Sequence, residues 1–218
     1  MDLVFTEFSQ YSFLVQFIIT FVVTLYLYLK YKSEWLKFEI YFFLFFVLIT
    51  ASNLLAIFFI TSSGVPYVSV VILSNLALVI LLIAGETLMG VQNKLLLYVL
   101  PLAVFLFDAV VNLLYAINYS GLSEVIYRII TGTDILLFTI PSLLIYAFLT
   151  YKTKDISIGF FVLALLLYIT GGFLSASNGE QVMALFYISA VICFAIATVL
   201  PVIRNRLHAL SKTDTANA

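Results

Sequence analysis

The chain has one cysteine, one histidine and one tryptophan, and only 10% of its 218 residues are charged. Each scarcity removes a class of protein. Cys193 has no partner for an intramolecular disulfide. His208, close to the C-terminus, cannot supply the imidazole cluster of a metal-dependent hydrolase or the base of a Ser-His or Cys-His pair. No metal or cofactor is therefore expected. A net charge of −1 gives nucleic acid no basic face to bind. Nor can so few charges coat a soluble domain, because 64% of the residues are hydrophobic and its surface would be apolar.

What the chain does have is apolar length. Crossing a bilayer core takes roughly 20 apolar residues in a helix. Seven stretches meet that need: 11–32, 38–61, 66–89, 95–117, 125–149, 157–176 and 181–203. The connections between them are short, which leaves no room for a separate soluble domain. Lysines and arginines fall on alternate connections. Lys30, Lys32 and Lys37 flank the first, Lys94 the third, Lys152 and Lys154 the fifth, and Arg204, Arg206 and Lys212 follow the last stretch. Asp2, Glu7, Glu124, Glu180 and Arg128 lie on the other side. The positive-inside rule then places the N-terminus outside and the C-terminus in the cytoplasm. The first charges are acidic and no small-residue cleavage site follows, so the first helix is expected to be retained.

The first three stretches recur as the last three. A shift of 120 residues sets Tyr26 on Tyr146, Leu29 on Leu149, Tyr31 on Tyr151 and Lys32 on Lys152. The register holds through Ile49-Thr50 on Ile169-Thr170, Leu54 on Leu174 and Ala56 on Ala176. It continues with Tyr67/Tyr187, Ser69/Ser189, Val71/Val191, Ile72/Ile192, Ala77/Ala197, Val79/Val199 and Ile83/Ile203. Self-similarity of this kind fixes architecture. With one helix between the repeats, both enter the membrane in the same direction. The expected fold is an all-α polytopic membrane protein, a seven-transmembrane bundle of two parallel three-helix repeats in a 3+1+3 order. It forms a single transmembrane domain over 1–210: repeat one 11–90, linker helix 94–118 and repeat two 125–205. A disordered tail, 211–218, follows.

This topology resembles that of the SWEET sugar transporters, whose parallel repeats share an axis along the membrane normal. Their aromatic-rich pocket pattern is missing, since Trp35 sits in a connection. A retinal protein needs a lysine in its last helix, and 181–203 holds none. Pro101, Pro141 and Pro201 are expected as bends. Gly171-Gly172, opposite Ala51-Ser52 in the first repeat, is expected at a close helix crossing.

Polar residues inside the apolar stretches carry the functional reading. Counting from each helix centre outward puts Asn53, Asn75, Asp108, Asp134, Thr170 and Ser189 in one band, with Asn112 and Gln16 further out. At ~1.5 Å per residue the band lies roughly 3–6 Å above the midplane. Carboxylates there are costly against lipid, about 2.5–3.5 kcal/mol each, and so face the bundle interior or water. Asp108 and Asp134 are the candidate substrate or proton sites, and Asn53, Asn75 and Asn112 their hydrogen-bond partners. A desolvated carboxyl group retains its proton more readily, which makes a cationic ligand or a coupled proton the natural expectation. The bland alternative is an interhelical hydrogen-bond network that serves packing alone.

Phe107-Asp108 with Gly132-Thr133-Asp134 resembles the Tyr-Asp and Gly-x-Gly-Asp motifs of intramembrane aspartyl proteases, and Leu200-Pro201 their proline motif. Thr133 stands in place of the second glycine, and the Leu-Pro pair lies at the other end of its helix. The leading expectation is a transporter of a small polar or cationic solute, not an enzyme. The alternatives are a ligand-sensing module acting through a cytoplasmic partner, an accessory subunit and an aspartyl protease. Expected partners are the bilayer, a small-molecule ligand, and a second copy of the chain or a cytoplasmic protein.

Overall fold

The structure is a computed structural model. It describes the backbone of residues 7–31, 37–59, 65–117, 124–175 and 180–216, and the side chains of 10–30, 39–59, 66, 68–117, 137–171 and 181–200. Among these residues every regular element is helical: α1 (Glu7–Tyr31), α2 (Lys37–Phe59), α3 (Val65–Leu88), α4 (Leu100–Ala116), α5 (Glu124–Thr153), α6 (Ile156–Ser175) and α7 (Glu180–Ala216). Among the described residues, five helices contain segments long and apolar enough to cross a membrane: Gln10–Lys30, Glu39–Phe59, Val68–Leu88, Leu95–Ala116 and Gln181–Leu200. Shorter apolar segments run over Leu137–Thr153 and Ile156–Gly171. The α7 backbone stays helical into 211–216, the segment whose polar composition suggests a disordered tail.

Local chemistry sets the element ends. Gly90 ends α3 with φ of 77°, a left-handed conformation open to glycine at little cost. Its N–H bonds the Thr87 carbonyl, and the Val91 N–H bonds that of Glu86, so two terminal carbonyls are satisfied. A π-helical turn, Leu95–Val99, precedes α4, and the Leu100 N–H bonds the Leu95 carbonyl across it. The sequence suggests plain helix here. Pro101, which has no N–H to give, adjoins the turn and starts α4 instead of bending it. Between α5 and α6, Lys154 adopts φ of 54°, and the Asp155 carboxylate caps α6 by accepting the Ser157 N–H at 2.9 Å.

Six helices close a ring: α1 packs on α2, α2 on α3, α3 on α5, α5 on α6, α6 on α7, and α7 back on α1. Helix α4 lies outside it, against α3 and α5. Two cores follow. One fills the ring with Phe45, Phe46, Leu81, Tyr146, Phe161, Leu165, Phe194 and neighbours. The other joins Leu78, Val79, Leu82 and Ile83 of α3 to Leu97, Phe105 and Phe138. Gly85 and Gly171 permit close crossings. A methyl on Gly85 would stand 2.8 Å from Ile145 Cγ2, and one on Gly171 3.1 Å from Phe186 Cβ. Gly172 has no described side-chain environment.

Outside, Phe21, Phe58, Leu106, Phe107, Leu144, Phe148 and Leu163 are exposed. Each would gain about 1.5–3 kcal/mol from leaving water. A surface of this kind suits hydrocarbon, and among the described residues the protein is all-helical, with helices long and apolar enough to cross a membrane.

Candidate functional site

Asp108 is fully buried on α4, and its carboxylate is fixed by two asparagines. Asn75 on α3 donates its amide to Oδ2 at 2.7 Å. Asn112, one turn along α4, donates to Oδ1 and, at 3.0 Å, to the Asp108 carbonyl. The i, i+4 spacing stacks residues 108 and 112 on one face, and equal depth brings Asn75 to meet them. Both carboxylate oxygens act as acceptors, so the cluster ties the outlying α4 to the ring. It sits at the α3–α4 interface rather than on the ring's axis.

Asn53 on α2 is buried as well, and its Nδ2 has no hydrogen-bond partner. Beside it Ser52 pairs with Ser74 at 2.7 Å and donates to the Val70 carbonyl, binding α2 to α3. Thr139 Oγ1 on α5 and Glu86 Oε2 on α3 are also buried without partners. Asp134 belongs to α5, but its side chain, like that of Arg128, lies outside the described residues. Thr170 departs from the expectation. It is exposed on α6, and its hydroxyl bonds back to the Leu166 carbonyl at 2.7 Å. Position along a helix gives no azimuth around it. Gln16 is buried, and its side-chain amide donates to the Ser12 hydroxyl at 3.0 Å.

A cavity of about 190 Å³ opens toward the end of the bundle that carries the α1–α2 and α5–α6 connections. Every ring helix lines it: Leu27 of α1, Glu39 and Phe42 of α2, Leu88 of α3, Tyr146 of α5, Phe161 of α6, and Thr198 of α7. Asp155 stands at the α5–α6 turn. Phe42 and Tyr146 stack on Phe161 with ring centroids 5.0 and 4.9 Å away. The Tyr146 hydroxyl reaches the Leu81 carbonyl at 3.1 Å. Six positions of α3, roughly 9 Å, separate Leu81 from Asn75. Phe45 packs edge-on against Phe46 and Phe194 within the ring, each pair 5.1 Å apart between centroids.

None of Asn53, Asn75, Asp108 and Asn112 lines this cavity. Sequence reasoning missed its lining residues. Glu39 reads as a headgroup residue, and Asp155 as part of a short connection. The available signal was Tyr146, which coincides with Tyr26 in the repeat register, together with the acidic pair among basic connections. Small residues such as Ala197 and Ser157 leave the space unfilled, and only tertiary packing reveals that. Among the described residues no group of three or more His, Cys, Asp or Glu could hold a metal ion. No family profile, curated protein or solved structure matches this chain.

Proposed function

We propose that the protein carries a small polar or cationic solute across the cell membrane. In this reading it is a seven-helix bundle of two parallel three-helix repeats, with its N-terminus outside. The observation that carries the proposal is the cavity bounded by all six ring helices. Ring order supports the repeat. The α1–α2 and α2–α3 contacts have counterparts in α5–α6 and α6–α7, and α3–α5 has one in α7–α1. The register pairs Ala77/Ala197 and Phe45/Leu165 also lie together in one core. A two-fold axis along the bundle would produce both patterns.

The cavity is the solute station facing the cytoplasm, and the phenylalanines above it close the path outward. Asp108 is the coupling group. A proton or cation arriving there competes with the amide donors, and loss of the one from Asn75 loosens α4 from α3. Binding at one station and a two-state helix contact at the other are the minimum for alternating access. Asp134 and Asn53 complete the polar layer on α5 and α2.

Purified protein in proteoliposomes tests this with methylammonium as the first solute. Uptake above that of empty vesicles is expected, falling at least about tenfold in Asp108→Asn while the variant stays folded. Uptake unchanged by the substitution removes Asp108 from the mechanism. Absence of flux for methylammonium and a panel of small cations and polyols removes the carrier.

One observation favours a second reading. Helix α7 runs to Ala216, well past Ile203, the last residue of its apolar stretch. Such an extension suits a ligand sensor that hands its signal to a separate cytoplasmic protein. Saturable ligand binding without flux would favour it.

A further inference from the structure

Threonines in this bundle bond back to a carbonyl one turn earlier, as Thr20, Thr24, Thr150 and Thr198 do at 2.7–2.8 Å. Thr139 does not. It is fully buried on α5, and its hydroxyl has no partner. Asn53 on α2 is its counterpart, 5% exposed with Nδ2 unbonded. Buried polar atoms rarely go unpaired, and one that does marks strain or a place that a water or ligand fills.

Both groups face the interior of the ring. Thr139 lies seven positions before Tyr146, two turns along one face of α5, and Tyr146 belongs to the ring core. Asn53 lies eleven positions after Phe42, three turns along one face of α2, and Phe42 lines the cavity. Their levels agree as well. Tyr146 bonds the Leu81 carbonyl, and seven positions before Leu81 stands Ser74, which pairs with Ser52 beside Asn53. On neighbouring α1, Thr24 pairs with Thr50 at 3.2 Å, so Thr20, one turn further from the cavity, comes level with Asn53. The Thr20 hydroxyl donates to the Gln16 carbonyl instead. Phe45 and Phe46 stand between this tier and the cavity.

The unpaired groups set the chemistry of the occupant. An amide Nδ2 donates and so wants an oxygen, while a hydroxyl can donate or accept. Both are neutral dipoles. An ion would exchange its hydration for them alone, and burying an uncompensated charge costs far more than burying a hydroxyl. A cation would also meet the positive end of the amide. Leu27, Phe42, Leu88 and Phe161 line the cavity further along the axis, so a solute that visits both places needs an apolar body. We propose that the ring holds a small uncharged molecule of this kind, a short diol or its carbonyl counterpart, with one oxygen accepting from Asn53 Nδ2 and another meeting the Thr139 hydroxyl. The proposal rests on the solute-handling reading and narrows it to uncharged solutes. It adds a station apart from both the apolar cavity and the Asp108 cluster.

The test is saturation-transfer NMR on the full chain in lipid nanodiscs, titrated with tetramethylene glycol, butylammonium and butyrate against empty nanodiscs. Saturable binding is expected for the diol, at least about tenfold tighter than for either ion. Asn53→Leu keeps the size of the side chain and removes its donor, so diol affinity should fall about tenfold. Thr139→Val should lower it by a similar factor, and decides the matter if the first variant does not fold. Each substitution deletes an unpaired polar atom, so neither should lower the unfolding midpoint of the ligand-free protein. Equal affinity for an ion, or diol affinity unchanged in Asn53→Leu, overturns the proposal. So does a midpoint that falls in Asn53→Leu while diol binding persists, because the amide then serves a resident water. Asn53-dependent diol binding without diol flux in proteoliposomes would remove the carrier reading and leave this site standing. Methylammonium flux that needs Asp108, with no diol binding, would do the reverse.

Discussion

At the scale of single residues, Asp108 and Tyr146 perform comparable work by different means. Asp108 gives two acceptor oxygens to the amides of Asn75 and Asn112. Tyr146 gives one hydroxyl proton to the Leu81 carbonyl, in the ring core. Asp108→Ala strands two buried amide donors, and a loss of about 1–3 kcal/mol in stability is expected. Thermal unfolding in detergent would register it as a clear drop in midpoint. Tyr146→Phe removes one neutral bond and leaves no side-chain donor stranded, so about 0.5–1.5 kcal/mol is expected in the same assay. A larger effect for the tyrosine would show that the Asp108 cluster contributes little to holding α4. Part of this cluster is readable from spacing, because residues 108 and 112 share a face of any helix. Asn75 follows from its depth. Thr170 does not, since α6 is apolar nearly all the way round and its sequence marks no inner face.

Among the elements, α3 is the most enclosed, packed by α2, α4 and α5. Its passage beside α5 depends on Gly85, where an added methyl would meet the branched carbon of Ile145 at 2.8 Å. Ile145 is stiff at χ1 and cannot swing clear. Alanine would favour the helix itself by about 1 kcal/mol. Overpacking costs about 1–3 kcal/mol and should prevail. Gly85→Ala is therefore expected to lower the unfolding midpoint, whereas Gly90→Ala acts through strain at φ of 77° and not through contact. An unchanged or raised midpoint for Gly85→Ala would mean that the two helices can separate freely. The seven helical spans are legible in the sequence because apolar length alone defines them. The π-helical turn at Leu95–Val99 is not, because the same apolar run suits an α-helical and a π-helical turn alike.

For the whole molecule, the orientation drawn from Lys and Arg placement can be checked on the native bundle. In a Cys193→Ser background, Lys154→Cys and Ile117→Cys stand on opposite ends of the bundle, both at exposed positions. A membrane-impermeant maleimide applied to intact cells is expected to label position 117 and to reach position 154 only after permeabilisation. The opposite pattern would invert the topology and place the cavity's mouth outside. The helical spans are legible in the sequence, but neither the ring order nor the void within the ring is. That space depends on which small residues, such as Ala197 and Ser157, meet at one level of six helices, and no periodicity encodes it.

The pairing of α1 with α7 has a consequence for how the molecule is made. Helix α1 finds this neighbour only when α7, far later in the chain, has been synthesised. Until then one flank of α1 must be sheltered by lipid or by the insertion machinery. Ring closure thus waits for α7, and chains interrupted before it would be left as open arcs for quality control to recognise.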